Sequence, residues 1–150
     1  MALEIKTKIK IDLEKLNQKI KRKITTILMA AGYLIEYDAK NLCPVDTGRL
    51  RASIHTEPVD WNMVKVGTNV VYARAVEYGT VPHWPPIEPL KRWAKRHGLP
   101  EQAAYAIQAS IAKHGTQPQP FMTPAYMMNR GKIKKLIRKE IRNLIKESKT

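Results

Sequence analysis

The chain has 150 residues, 43% of them hydrophobic, and it carries a formal net charge of +14 with a pI near 10.0. This length predicts one domain with a real core, and the apolar fraction excludes an intrinsically disordered chain. The charge predicts an acidic partner, such as DNA, an acidic protein face or anionic lipid, although lysine-rich helices also serve as ordinary solvated faces.

The N-terminal part is predicted to be a short strand followed by one long helix. Between residues 5 and 11, isoleucine and threonine alternate with lysine, which is the pattern of a strand with one apolar and one basic face. Asp12 suits a helix N-cap. Apolar residues recur at helical spacing from position 13 to position 35, so we expect the helix to run to about Leu42.

Residues 43–54 read CPVDTGRLRASI and contain the elements of a helix exit and a tight turn. Pro44 discourages a helical conformation at the residue before it. Asp46 and Thr47 can each hydrogen-bond the backbone just downstream, and Gly48 accepts a positive φ without steric cost. The sequence therefore predicts a turn at this position.

A β-hairpin is predicted directly after this turn. Leu50, Ala52 and Ile54 alternate with polar residues, which is the period of a half-buried strand. We expect strands at about 51–59 and 63–70, joined by a turn at residues 60–62.

The remaining segments are predicted to be mainly helical. Residues 72–78 favour a short helix or turn that ends at Gly79, and the four prolines of residues 80–89 favour an extended loop. Two short helices are expected at about 86–97 and 100–113, then a loop or edge segment, and a C-terminal helix from near Thr123. The predicted fold class is α+β, with the long N-terminal and C-terminal helices covering one face of a small, mainly antiparallel sheet.

The sequence contains no constellation of residues that indicates catalysis. None of the four histidines is paired at helical spacing, and there is no glycine-rich phosphate loop. Cys43, the single cysteine, excludes an internal disulfide and fits both a buried position and a reducing cytoplasm. We expect no enzyme and no catalytic, metal or cofactor site. We also expect neither a classical signal peptide nor a membrane span.

Three segments together are similar to one protein family. They are residues 43–54, residues 66–80 (VGTNVVYARAVEYGT) and residues 118–125 (PQPFMTPA). In that order they resemble the tail-completion, or head–tail joining, proteins of long-tailed bacteriophages, which are minor tail components. The resemblance implies one domain over residues 1–150, and residues 81–116 resemble an insertion found in a subgroup of the family.

The resemblance also implies a function in virion assembly. A member would be a structural virion protein of phage or prophage origin, made in the bacterial cytoplasm and placed in the neck or tail. It would form a ring of identical subunits, commonly six-fold, and contact neck, connector or tail-tube proteins. The residues that it would use for these contacts are Asp46, Thr47, Gly48, Arg49, Tyr78, Gly79, Thr80, Trp84, Pro118, Pro120 and Phe121.

The basic faces of the first and last helices leave two kinds of partner open. They could face packaged DNA or acidic neck proteins, and the candidate residues on the last helix are Lys134, Lys135, Arg138 and Lys139. An alternative function is that of a small nucleic-acid-binding protein without sequence preference, in which aromatic residues stack on bases. Of those aromatic residues, Trp93 is expected in the core and Trp84 on the surface.

Overall fold

The computed structural model describes residues 1–6 and 18–147. The chain divides into two compact units, of which unit 1 comprises Met1–Val71 with Phe121–Thr150 and unit 2 comprises Tyr72–Pro120. The predicted α+β class is confirmed. The elements in the described part are β1 (Ala2–Lys6), α1 (Gln18–Leu42), α2 (Arg49–Ser53), β2 (His55–Asp60), β3 (Met63–Gly67), α3 (Ala73–Tyr78), α4 (Ile87–Arg96), α5 (Ala103–His114) and α6 (Met122–Glu147).

The sheet of unit 1 has three antiparallel strands in the order β1-β3-β2. The predicted turn between β2 and β3 is present, and the amide of Trp61 donates to Oδ1 of Asp60 at 2.7 Å. Two boundaries differ from the prediction: β1 begins at Ala2, and β3 ends at Gly67 rather than Val70. Of the first predicted strand, residues 7–11 lie outside the described residues.

Helix α1 packs against β2 and β3, and α6 packs along α1. Helix α1 ends at Leu42, as the sequence predicts. The predicted N-cap, Asp12, lies outside the described residues. One stripe of α1 is buried because its apolar residues recur every three or four positions. A core cluster joins the two helices and the sheet through Ile24, Leu28, Val64 and Leu144.

A buried amide links the two long helices. Asn129 of α6 is only 1% exposed. Its Nδ2 lies 2.6 Å from Oδ2 of Asp38 and 3.4 Å from the carbonyl oxygen of Leu34, both on α1. It also lies 2.9 Å from the carbonyl oxygen of Ala125, one turn earlier on α6. The polar group is therefore satisfied at the point where the helices meet.

The first residues of the predicted hairpin form a helix instead of a strand. Arg49–Ser53 is the short helix α2, and β2 begins only at His55. Leu50 and Ile54 are buried, but Ala52 between them is exposed. The buried positions are thus four residues apart, as on one face of a helix. The sequence suggested a strand only because the apolar Ala52 lies midway between them. The amide of Ala52 donates to the carbonyl of Gly48 at 2.9 Å and so closes the first turn of α2.

Unit 2 contains the three helices α3, α4 and α5. Helices α4 and α5 pack on each other, and Lys91 of α4 pairs with Glu101 at 2.8 Å. The hydrogen bond from Lys91 lowers the pKa of Glu101. The predicted core position of Trp93 is wrong, because this side chain is only half-buried and stacks on His97 with ring centroids 4.1 Å apart.

Helix boundaries in unit 2 and at the start of α6 lie close to the predictions. Helix α3 ends at Tyr78, as predicted, with Gly79 as its C-cap. The proline-rich loop ends sooner than position 89, because α4 already begins at Ile87 and Pro89 occupies its first turn, where a missing amide costs little. Helix α6 begins at Met122, one residue before the predicted start. The prediction of one domain with an insertion at about 81–116 stays a prediction.

Candidate functional sites

The first candidate site is the turn at residues 45–49 in unit 1. Gly48 has φ 80° and ψ −5°, the positive φ that the sequence predicts, and it is the N-cap of α2. Oγ1 of Thr47 accepts from the amide of Arg49 at 3.5 Å. The side chains of Asp46, Thr47 and Arg49 are exposed. The turn is therefore a fixed loop that presents polar groups to its surroundings.

A hydrogen bond connects the end of this motif with the second motif. Oγ of Ser53 lies 2.5 Å from Oγ1 of Thr68, and that oxygen accepts from the amide of Val70 at 3.1 Å. Thr68 is buried, so the Gly-Thr pair of the second motif has a structural role in unit 1. Cys43, at the start of the first motif, is also buried, and burial raises the pKa of its thiol.

The second candidate site is in unit 2, where two segments far apart in sequence meet. Thr80 and Thr116 form an antiparallel bridge, in which each amide donates to the other residue's carbonyl at 3.2 and 3.3 Å. Their hydroxyl oxygens lie 3.1 Å apart. This Thr80–Thr116 bridge was not predicted from the sequence, because nothing in either segment indicates its partner.

A glycine precedes each threonine of the bridge. Gly79 has φ 70° and ψ −175°, and Gly115 has φ 73° and ψ −162°. This region of backbone conformation is open essentially to glycine alone. A Cβ on Gly115 would also overlap the carbonyl oxygen of Thr80, and a Cβ on Gly79 would overlap that of Thr116. Both glycines are therefore required for the strands of the bridge to approach each other.

The loop after the bridge is held by polar contacts. Nδ1 of His83 lies 3.3 Å from Oγ1 of Thr80, and the amide of His83 donates to the carbonyl of Ile111 at 3.4 Å. Nε2 of Gln108 donates to the carbonyl of Pro85 at 2.8 Å. The sequence did not single out His83 or Gln108, and no local pattern could have identified their contacts.

The anchored loop, which we define as residues 80–86, exposes large apolar side chains together with Tyr78, the last residue of α3. Tyr78 is 62% exposed, Val81 is 79% exposed and Trp84 is 71% exposed. The predicted surface position of Trp84 is confirmed. Large apolar side chains on a fixed backbone are suited to binding a protein partner, because they lose little conformational entropy when they dock.

The third predicted segment is divided between the two units. Pro118 and Pro120 are exposed in unit 2, where the amide of Gln119 donates to the carbonyl of Val76 at 2.8 Å. Phe121 is fully buried in unit 1, with 0% of its surface exposed. Phe121 is therefore a core residue, and its predicted role as an interface residue is wrong because its side chain offers no surface to a partner.

The predicted electrostatic residues lie on the exposed part of α6. Lys134, Lys135, Arg138 and Lys139 are all exposed. Beside them is a surface groove of about 430 Å³, which we call the α6 groove. It is lined by Lys135, Arg138, Lys139, Arg142, Asn143 and Lys146. Among the residues that the structure describes, the lining carries five cations and no carboxylate.

A second depression, of about 500 Å³, lies between α1 and α6. Its cations are Lys19, Arg22 and Lys23, but its lining also contains Glu140 and Glu147. Lys23 pairs with Glu147, and the hydrogen bond from Lys23 lowers the pKa of that carboxyl group. The positive charge of this α1–α6 depression is therefore partly compensated, in contrast to the charge of the α6 groove.

The described residues contain no group of three or more histidine, cysteine or acidic residues placed to hold a metal ion. None of the helices that the structure describes combines the length and the apolar character needed to cross a bilayer.

Comparison with known protein families gives one match. Residues 7–79 match the family described as "Bacteriophage HK97-gp10, putative tail-component". The chain is similar to phage tail components. This confirms the resemblance found in the sequence, and a component of a phage tail is a virion protein. Neither the curated proteins nor the solved structures yielded a match.

The matched region has a clear relation to the sites. It covers the turn at residues 45–49, the Gly67-Thr68 pair and α3 up to Gly79. The family match therefore ends where the anchored loop begins. The loop, the Thr80–Thr116 bridge and the α6 groove lie in the part of the chain that the family match does not reach.

Proposed function

We propose that this protein is a ring-forming subunit of the assembly that joins phage head and tail. On this proposal it is a structural, non-enzymatic protein of the neck, commonly present in six copies. Similarity to phage tail components over residues 7–79 supports the general class. The observation that carries the finer proposal is the exposed apolar surface of unit 2, which Val81 and Trp84 of the anchored loop form together with Tyr78 at the end of α3.

The loop has the properties of a protein-binding surface. Prolines at 82, 85 and 86 restrict its backbone, and the Thr80–Thr116 bridge holds its first residue. Tryptophan and tyrosine are the residues that most often dominate binding energy at protein interfaces. We therefore place Trp84 at the centre of a contact with a neighbouring subunit or neck protein.

The test is head–tail joining by a Trp84→Ala variant. Truncation of a central aromatic residue costs about 2 kcal/mol or more of binding energy. This loss lowers a binding constant by more than a factor of ten, so we expect the yield of joined particles to fall at least tenfold. Joining is measured in vitro with purified heads and tails, and the variant's melting temperature is compared with that of the unaltered protein.

Tyr37→Ala is the matched control, because Tyr37 on α1 is 69% exposed, almost the same as Trp84. We expect this control to join heads and tails normally. Full joining activity of Trp84→Ala would overturn the assignment of the loop, and equal losses in both variants would show that the loop has no special role.

A further inference from the structure

The α6 groove is a concentration of positive charge, and four of its five cations lack a described ion-pair partner. Lys135, Arg138, Lys139 and Arg142 line it together with Lys146. The first four form no ion pair with any residue that the structure describes. In the α1–α6 depression, by contrast, Glu140 and Glu147 balance part of the charge. Repulsion among five neighbouring cations disfavours the groove unless an anion occupies it.

The spacing of these cations matches an extended anion. Apart from the adjacent pair Arg138 and Lys139, they recur every three or four residues along α6. The row from Lys135 to Lys146 therefore extends over about 16 Å at 1.5 Å per residue. Duplex DNA carries one negative charge for about every 1.7 Å of its axis. Several phosphates can therefore lie within reach of the row at once.

The lining of the groove favours phosphate over an acidic protein surface. Within the described part of the chain, its lining beyond the five cations consists of Asn143 and includes no aromatic residue. The centres of protein interfaces are enriched in aromatic residues and depleted in lysine. Single-stranded nucleic acids also need aromatic side chains on which bases can stack. Arginine, lysine and asparagine instead are common donors to the backbone of a duplex.

We propose that the α6 groove binds the phosphate backbone of duplex DNA without reading its sequence. Contacts to phosphate fix position and carry no sequence information. The proposal does not depend on the role of the anchored loop in head–tail joining, because the groove residues are in α6 of unit 1 and the loop is in unit 2.

The experiment is fluorescence anisotropy of the full chain with labelled random duplex DNA between 50 and 200 mM salt. The groove variant combines Lys135→Gln, Arg138→Gln, Lys139→Gln and Arg142→Gln. The matched control combines Lys95→Gln, Lys113→Gln, Arg74→Gln and Arg92→Gln. All four of these control residues are in unit 2, and all four are exposed. Both variants lose two lysines and two arginines.

The expected result is a change in the salt dependence of binding that only the groove variant shows. Each phosphate contact contributes about −0.9 to the slope of log K against log salt, so loss of four contacts makes the slope shallower by about 3.6. We expect its affinity at 50 mM salt to fall at least about tenfold, while the control keeps a slope within about 1 of the original. A double variant, Lys135→Gln with Lys139→Gln, should give about half the change in slope.

Two results would overturn the proposal. Equal losses in the groove variant and the control would show that binding depends only on net charge. Tighter binding of polyglutamate than of DNA with the same number of charges would assign the groove to an acidic protein. Circular dichroism of each variant checks that the fold is intact, and the graded double variant decides the matter if the quadruple variant is unstable.

Discussion

The two compact units are stabilised in different ways. Unit 1 buries large apolar side chains completely, among them Leu28, Ile35 and Phe121. In unit 2, all of which the structure describes, the buried side chains are three alanines and Glu77. Unit 2 therefore depends on backbone conformation and hydrogen bonds where unit 1 depends on packed volume. Substitutions of the same size should have different effects in the two units.

The largest effect is expected from loss of volume in unit 1. Phe121→Ala removes a fully buried aromatic ring and should lower the free energy of unfolding by about 3–5 kcal/mol. Urea denaturation of the full chain measures this loss. Trp84→Ala is the control, since it truncates an exposed aromatic residue and should change stability by less than about 0.5 kcal/mol. Similar losses in both variants would contradict the difference between the units.

A substitution that strains the backbone of unit 2 should have the next largest effect on stability. Gly115→Ala places a Cβ against the carbonyl of Thr80 in a conformation that only glycine adopts readily, at a cost of about 3 kcal/mol. Hydrogen exchange of the amides of Thr80 and Thr116 measures whether the bridge opens.

Gly98→Ala is the control for this prediction. Gly98 also has a positive φ, of 69°, but an added Cβ there meets nothing within 4 Å. We expect a loss of about 1 kcal/mol, because only the backbone strain remains. Unchanged protection of the bridge amides in Gly115→Ala would show that the bridge does not depend on this glycine.

The smallest of these effects is expected at the turn of residues 45–49. Gly48→Val should cost about 1–3 kcal/mol, because a β-branched residue adopts a positive φ poorly. The cost is backbone strain alone, since a Cβ at this position meets nothing within 4 Å. Thermal unfolding measures it. Gly48→Asn should lose much less, because asparagine tolerates the left-handed region, and identical melting of the valine and asparagine variants would count against strain as the cause.

Most of the fold could be predicted because its signals are local. The long apolar stripes of α1 and α6 indicate helices by their period, and the Asp-Trp-Asn turn separates β2 from β3. The error at α2 has a physical cause: over five residues, Leu50 and Ile54 satisfy both a strand period and a helical one. Burial distinguishes the two, and burial depends on contacts with distant residues.

The sites could be predicted only as segments. The sequence indicated the loop after Gly79 and the segment near Pro118 as separate features. The bridge that connects the start of one with the start of the other uses Thr116, which no local pattern indicates. Phe121 was predicted at an interface because it lies next to exposed prolines, yet it begins the buried stripe that leads into α6. The charge of α6 was evident from sequence, whereas the structure was needed to show that Lys135, Arg138, Lys139 and Arg142 pair with no described carboxylate.

The amide of Asn129 has a consequence for how α1 and α6 are aligned. Two long helices with apolar stripes could pack in several registers that bury similar area, each shifted by one turn of about 5.4 Å. Only one register brings Asn129 to Asp38 and Leu34. A shift would remove both bonds to α1 and leave the buried amide with only its bond to the carbonyl of Ala125 on α6 itself, at a cost of about 1–3 kcal/mol. A single polar residue thus specifies the register of the helix pair, that is, which residues of α6 lie opposite each turn of α1.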